Sequence, residues 1–129
     1  MRLEWAVPRA GRDSGRVRTW TVEEARGYLP RLRELLSLID TSLVPGREEG
    51  TLALPVGAEH AEAALAELEQ GGIVLRQVGI GLVDFVWRGP DGEVRLLCYR
   101  LDETDLLWWH RPEDGFAGRR AIADITWPS

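Results

Sequence analysis

An aspartate, an arginine and a histidine fall in three consecutive predicted strands and carry the clearest chemical signal in the sequence. Asp84, Arg95 and His110 are set among apolar residues that alternate with polar ones, a period of two that predicts half-buried β-strands. If these strands pair in sequence order, the three side chains share one sheet face. A carboxylate, a guanidinium and an imidazole on a partly apolar surface are typical of a ligand site.

A glycine-rich segment near the carboxyl terminus adds to this predicted site. Gly115 and Gly118 flank Phe116 and precede Arg119. Glycines let backbone amides approach an anion closely, and a guanidinium holds a carboxylate or phosphate through two hydrogen bonds. We therefore expect a small anionic ligand here. The candidate ligand-binding residues are Asp84, Arg95, Tyr99, Trp108, His110 and Arg119.

A divalent metal ion is the second ligand that these residue types could hold. Asp84 and His110, with either Glu103 or Asp114, would supply mixed oxygen and nitrogen ligands. No two candidates share the short spacing of an HxH, HxxxH or CxxC motif. The metal hypothesis therefore depends on how the strands pair, and its candidate set is Asp84, Glu103, His110 and Asp114.

Enzymatic activity is left open by the sequence. Covalent catalysis needs a nucleophile beside a base, but Cys98 is predicted on a buried apolar face, where a thiol is usually inert. There is no phosphate-binding loop and no serine in a glycine elbow. Acid–base chemistry by Asp84 and His110 is the remaining catalytic alternative. His60 is expected to be an exposed surface residue.

A hairpin positions the aspartate and the arginine. Strands over 82–88 and 93–101 flank Gly89-Pro90-Asp91-Gly92, a sequence that suits a type I turn. A symmetric turn of four residues would place Val83 opposite Cys98. It would create one wholly apolar face for helices to cover, made of Val83, Phe85, Trp87, Val94, Leu96 and Cys98.

Two more strands complete the predicted sheet. A candidate strand over 73–78 precedes the hairpin, and another over 104–110 follows a tight turn after it. The simplest register places His110 opposite Arg95 and Leu106 opposite Tyr99. The last stretch, 121–127, is predicted to be an edge strand or a packed extension.

Helices fill the first half of the chain. Thr21 and Glu24 form a capping box, followed by apolar residues three and four apart. Pro30 predicts a short helix over 22–28 and a kink or restart, with an end near Asp40. A second helix is expected over 58–70. The predicted fold is α+β, with two helical segments packed on one face of an antiparallel β-meander of three to four strands.

Composition limits the classes of protein. The 129 residues are 44% hydrophobic and 29% charged, which is typical of one folded domain. The net charge of −5 disfavours nucleic acid as a partner, and no apolar run is long enough for a membrane helix. A single cysteine and the lack of a secretory signal pattern predict a cytoplasmic protein. Residues 1–18 form a basic extension with five arginines and two acidic residues, and 19–129 form the domain.

Several spaced motifs lie at 21–25, 29–30, 81–85, 97–103, 109–110 and 115–119. Together they resemble a prokaryotic family, the domain-of-unknown-function family 2203, over about 19–122. The resemblance implies a fold and candidate positions at Asp84, Glu103, His110 and Arg119, but the family has no established activity.

An assembly protein without catalytic activity is the alternative to a ligand-binding module. The apolar residues three and four apart on the first helix, from Val22 to Leu43, form a leucine seam on one helix face. This seam could form a dimer surface or cover its own sheet, and the second use is favoured. Exposed aromatic patches often mark interfaces, so a homodimer is one expectation. The tryptophans that suggest it are Trp87, Trp108, Trp109 and Trp127.

Overall fold

The computed structural model describes residues 18–125. Two helices, α1 (Val22–Ser42) and α2 (Glu59–Gln70), accompany two antiparallel sheets. The smaller sheet pairs β1 (Val44–Pro45) with β2 (Leu52–Ala53). The larger has the order β3-β4-β5-β6-β7, with β3 (Ile73–Gln77), β4 (Leu82–Arg88), β5 (Val94–Arg100), β6 (Trp108–His110) and β7 (Arg120–Ala121).

The α+β class is confirmed, and the strand count is corrected. The main sheet has five strands where three to four were expected. The additional strand is β7, the predicted edge strand, which is much shorter than 121–127 because the chain turns into a 3-10 helix at Ile122–Asp124. Trp127 and all but the last residue of the basic extension lie outside the described residues.

Helix α1 begins at the predicted capping box. The Glu24 amide donates to Thr21 Oγ1 at 3.0 Å, and the Thr21 amide donates to Glu24 Oε1 at 2.9 Å. The expected break at Pro30 is wrong, because the helix continues through it. Pro30 and Arg26, whose carbonyl loses its usual N–H partner, are both exposed, so water can satisfy that carbonyl.

Both helices contribute to one buried cluster on one face of the main sheet. Leu32 and Leu36 of α1 and Leu65 of α2 join Phe85 and Leu97 there. The leucine seam therefore covers its own sheet, as favoured, and is not available for a dimer; the homodimer itself stays a prediction. No helix within 18–125 is long and apolar enough to span a bilayer.

The β4–β5 hairpin has a different register from the predicted one. The Gly89 amide donates to Glu93 O, and the Gly92 amide donates to Gly89 O, both at 2.9 Å. Gly92 adopts a φ of +83°. This is a three-residue loop, in which a type I turn is followed by a left-handed glycine. The odd loop length shifts β5 by one residue from the symmetric turn, so every β5 side chain changes face.

The shift moves two predicted site residues, Arg95 and Tyr99, away from the sheet face of Asp84. It brings Cys98, which was not a predicted site residue, onto that face. Cys98 lies opposite Asp84, whereas Tyr99 lies opposite Val83 on the helix-covered face. Arg95 also lies on the helix-covered face, opposite Trp87. The prediction of a wholly apolar face is therefore wrong, because Arg95 and Tyr99 lie on the helix-covered face.

Strand β6 is shorter than predicted and pairs with the shifted β5. His110 lies opposite Leu96, and Trp108 lies opposite Cys98. Residues before β6 form a loop that α1 holds in place. Arg26 Nη2 donates to the Leu106 carbonyl at 2.9 Å, and Arg33 Nη2 donates to the Thr104 carbonyl at 3.0 Å.

Candidate functional site

A cavity of about 300 Å³ lies on the sheet face opposite the helices. Its floor is formed by side chains of neighbouring strands, including Asp84 on β4, Cys98 on β5 and His110 on β6. Arg76 of β3 flanks the floor, and the segment 112–116 that follows β6 forms the other wall. The order of the strands therefore brings together residues that are far apart in the sequence.

His110 is buried with both ring nitrogens hydrogen-bonded. Nδ1 lies 2.8 Å from the Arg111 carbonyl oxygen, and Nε2 lies 3.0 Å from Asp84 Oδ1. Because a carbonyl oxygen only accepts, Nδ1 donates to Arg111, and Nε2 donates to Asp84 when the ring carries its second proton. Burial by itself lowers the pKa of His110, but the hydrogen bonds to Asp84 and Cys98 outweigh it and raise the pKa from 6.5 to about 10.

Asp84 lies between two cations. Its side chain is 2% exposed, and its Oδ2 accepts from Arg76 Nε at 2.7 Å while Oδ1 accepts from His110. The β3–β4 register shifts between Leu75 and Gln77, so Arg76 is the extra residue of a bulge. Bulges re-aim side chains, and this one accompanies an arginine that reaches the buried carboxylate.

Cys98 completes a three-residue cluster at the bottom of the cavity. One ligand atom each from Asp84, Cys98 and His110 lie within 4.8 Å of one another, and all three residues are buried. Burial raises the pKa of the Cys98 thiol. The His110 ring hydrogen-bonds the thiol as well as the Arg111 carbonyl and Asp84, so Cys98 takes part in the polar contacts of this cluster.

A buried ion pair fixes the backbone behind Cys98. Arg119 Nη2 donates to Glu103 Oε1 at 2.6 Å and to the Cys98 carbonyl at 3.2 Å. Its guanidinium lies 4.6 Å from the centre of the Phe116 ring and 5.3 Å from that of Trp108. Glu103 Oε1 also accepts from the Arg100 amide at 2.7 Å. This cluster holds β5 and the segment after β6 together.

A family model described as an uncharacterised conserved protein, the domain-of-unknown-function family 2203, matches residues 47–122, more than half of the chain. The chain belongs to this family. No curated protein and no solved structure matches it.

The family 2203 match contains the whole cavity but only part of the predicted resemblance. Residues 76–116, which include every residue that lines the cavity, lie within the match. The motifs at 21–25 and 29–30 lie before it, so the resemblance is shown over 47–122 and not from residue 19. The description of the family gives no activity, so function is argued from the site.

The structure brings some predicted site residues together and separates others. Of the predicted residues, Asp84, His110 and Asp114 line the cavity. Glu103, Trp108 and Arg119 gather beside Cys98 without lining it. Arg95 and Tyr99 lie on the opposite sheet face. Tyr99 accepts from Arg33 Nε at 3.0 Å, and Arg95 lies 4.6 Å from the Trp109 ring. His60 is exposed on α2, as expected.

Sequence reasoning missed two residues that contact or face Asp84: Cys98 on the cavity floor and Arg76, which flanks the floor. Cys98 was assigned to the wrong face because the turn was counted as symmetric. The glycine at position 92 was the available signal, since a type I turn followed by glycine is common in three-residue hairpin loops. Arg76 gave no comparable signal, because the bulge that accompanies it depends on tertiary pairing.

Proposed function

We propose that this member of family 2203 is a metal-ion binding protein whose ligands are Asp84, Cys98 and His110. The cluster of three buried ligand atoms within 4.8 Å of one another carries the proposal. Ion binding is a role that would use all three side chains, since a carboxylate, a thiolate and an imidazole are all metal ligands. This replaces the earlier candidate set, since Cys98 enters and Glu103 is bonded to Arg119.

The ligand types favour zinc or a similar transition metal. A thiolate and an imidazole suit Zn²⁺ and its neighbours in the first transition row, and a carboxylate oxygen is compatible with both. Mg²⁺ and Ca²⁺ prefer oxygen ligands throughout, so a site containing Cys98 disfavours them.

The hydrogen bond from His110 Nδ1 supports a metal at Nε2. Metal-bound histidines usually donate their other ring N–H to a carbonyl or carboxylate, which orients the ring. The Arg111 carbonyl plays that part here, at 2.8 Å. An ion at Nε2 would take the place of the proton now shared with Asp84 Oδ1, and the thiol would lose its proton to become a thiolate ligand.

If Asp84, Cys98 and His110 held a zinc-like ion, a fourth position would be free for water or a small molecule. Structural zinc sites usually have four protein ligands, whereas sites that act on small molecules keep a position for water or substrate. The cavity volume of about 300 Å³ leaves room for such a molecule. We therefore extend the proposal to a metal ion that binds a small ligand.

A structural ion network is the competing interpretation, and one specific observation favours it. Arg76, Asp84 and His110 already satisfy one another by hydrogen bonds. Cys98 separates the two interpretations, because it has no part in the bonds among those three charges but is required as a metal ligand.

Cobalt binding tests the proposal. Chelator-treated protein is titrated with Co²⁺, which reports a thiolate ligand through an ultraviolet charge-transfer band, and then with Zn²⁺ in competition. We expect one ion per chain. Cys98→Ser should lose the charge-transfer band, and His110→Gln should weaken binding at least tenfold. His60→Gln, which changes an exposed histidine on α2, is the matched control and should bind normally.

The opposite result identifies the structural network. If Co²⁺ uptake is absent at equimolar metal, or is the same in Cys98→Ser as in the unaltered protein, the three residues are not a metal site. Circular dichroism of each variant confirms that a loss of binding is not a loss of folding.

A further inference from the structure

We propose that the metal site takes a small amino-carboxylate ligand, whose carboxylate bridges the ion and Arg76 while its ammonium group faces Glu113 and Asp114. This inference rests on the metal-binding function proposed above and names the chemical class of molecule that occupies the open position. It follows from the distribution of charge around the cavity, which differs between its two ends.

Arg76 provides the group that recognises a carboxylate. Its Nε donates to Asp84 Oδ2 at 2.7 Å, and its side chain is 43% exposed at the cavity. Within residues 18–125, its two terminal amino groups form no hydrogen bond. A guanidinium held by Nε keeps its remaining N–H groups for a second acceptor. A carboxylate bound to the metal ion beside Asp84 would meet these groups.

Two acidic residues line the other end of the cavity. Glu113 and Asp114 belong to the wall formed by the segment after β6, whereas Arg76 enters from β3, on the opposite side of the floor strands β4, β5 and β6. Neither carboxylate forms an ion pair with another residue of the described chain. Two unpaired carboxylates on a cavity wall favour a positively charged group in front of them.

With the metal ion bound, the charges around the cavity suit a ligand with one charge of each sign better than a simple anion. The charge of a divalent ion would be balanced by Asp84 and the Cys98 thiolate, which leaves Arg76 facing Glu113 and Asp114. An anion would gain from Arg76 but be repelled by the two wall carboxylates, and a cation would be repelled by Arg76. A molecule with one charge of each sign complements both ends.

The size of the cavity agrees with a ligand of this class. A volume of about 300 Å³ is at the lower end of small-molecule sites. It accommodates a molecule of the size of an amino acid, with its charged ends a few ångströms apart. Phe116 and Pro112 add apolar surface to the same wall.

The test compares three probes on the cobalt-loaded full chain. Alanine, propionate and ethylamine share a similar carbon skeleton and differ in charged groups. Each is titrated while the visible spectrum of Co²⁺ is recorded, because that spectrum changes when a ligand enters the open position and also shows that the ion stays bound. We expect alanine to bind at least tenfold more tightly than propionate, and ethylamine to bind more weakly than either.

Two sets of variants test which residues recognise the carboxylate of the ligand and which recognise its ammonium group. Arg76→Met should weaken alanine and propionate alike, at least tenfold. The double variant Glu113→Gln and Asp114→Asn should lower the affinity for alanine to that for propionate. Its affinity for propionate should be unchanged or higher. Arg47→Met and Glu48→Gln, at exposed positions in the loop after β1, are the matched controls and should alter neither affinity.

The outcomes separate this inference from the metal proposal. If cobalt binds through Cys98 but alanine is no tighter than propionate, the amino-carboxylate assignment is overturned while the metal site stands. The same conclusion follows if the wall variant leaves alanine binding intact. If cobalt does not bind at all, both proposals are overturned together.

Discussion

His110 and Asp84, 26 positions apart in the chain, are joined by a buried hydrogen bond of 3.0 Å between Nε2 and Oδ1. Both side chains are almost completely buried, with 6% and 2% exposed. Because the second ring nitrogen donates to the Arg111 carbonyl, the pair couples a charged imidazole to a charged carboxylate in the protein interior. Breaking such a pair is costly, since the remaining charge stays buried.

The metal-free protein should show strong coupling between these two residues. We expect His110→Gln and Asp84→Asn each to lower the free energy of unfolding by about 2–4 kcal/mol. The double variant should lose less than the sum of the single losses by about 1–3 kcal/mol. Urea unfolding of four chelator-treated proteins (the unaltered protein, the two single variants and the double variant) measures the free energies of this double-mutant cycle.

Arg76→Met is the comparison for that cycle. Its ion pair with Asp84 is partly exposed on the arginine side, so its loss should cost about 1 kcal/mol or less. Strictly additive losses at His110 and Asp84 would contradict the coupling and would show that the two side chains act independently.

The Arg119–Glu103 pair should behave as a second coupled unit. Both side chains are nearly buried, at 11% and 13% exposed, and Arg119 also bonds the Cys98 carbonyl. Arg119→Met leaves Glu103 without its cation, and we expect a loss of about 2–4 kcal/mol in the free energy of unfolding. Adding Glu103→Gln should recover about 1 kcal/mol or more, because a neutral amide is cheaper to bury than an unpaired carboxylate.

A cobalt titration of the Arg119→Met variant adds a second readout. Since Arg119 bonds the carbonyl of Cys98, the proposed thiolate ligand, weaker cobalt binding in a folded variant is the expected result. A variant that keeps both full stability and full cobalt affinity would show that this pair neither supports the fold nor positions Cys98.

Gly92 determines the hairpin register and should resist substitution. Its φ of +83° is a conformation that side chains disfavour. We expect Gly92→Ala to destabilise the protein by about 1–2 kcal/mol. Gly27 is the contrasting control, because it lies inside α1 and an added Cβ would meet no atom within 4 Å.

Gly27→Ala should therefore stabilise the protein by about 0.5–1 kcal/mol. Thermal or urea unfolding of the two alanine variants measures both effects. Equal effects at the two positions would argue against the left-handed turn, and with it the register that places Cys98 opposite Asp84.

Much of the fold was predictable from local patterns. The capping box at Thr21, the amphipathic face of α1, the end of α2 near Gly71 and the hairpin around Pro90 all depend on residues close together in the chain. Local hydrogen bonding and periodicity determine such features, so a single sequence contains enough information for them.

The site was predictable only as far as the register was known. Asp84 and His110 were brought together correctly because the β5–β6 register also differs by one residue from the predicted one, so the two register errors cancel. Tyr99, Arg95 and Cys98 all lie on β5, so one miscounted turn residue misplaced the three of them. The wholly apolar face that followed from the symmetric turn favoured that register, but Arg95 occupies the helix-covered face by lying against the Trp109 ring.

The pairing between the two helices should depend on pH through Glu67. Glu67 on α2 accepts from Arg31 Nη2 at 2.7 Å and from Tyr28 Oη at 2.6 Å, both on α1. The hydrogen bond from Arg31, with that from Tyr28, lowers the pKa of Glu67 from 4.5 to about 2. Because the folded pKa is the lower one, its stabilisation is present above pH 4.5 and is lost as the pH falls toward 2.

Glu67→Gln should therefore be less stable than the unaltered protein at pH 7, by about 0.5–1 kcal/mol, since the carboxylate is partly exposed to solvent. The difference should shrink steadily as the pH is lowered from 5 to 3, and urea unfolding across that range measures it. Glu69→Gln, on the same helix at an exposed position without an ion pair to any described residue, should show no such convergence. A Glu67→Gln deficit that stays constant from pH 7 to pH 3 would mean that the charge of Glu67 does not hold α1 to α2.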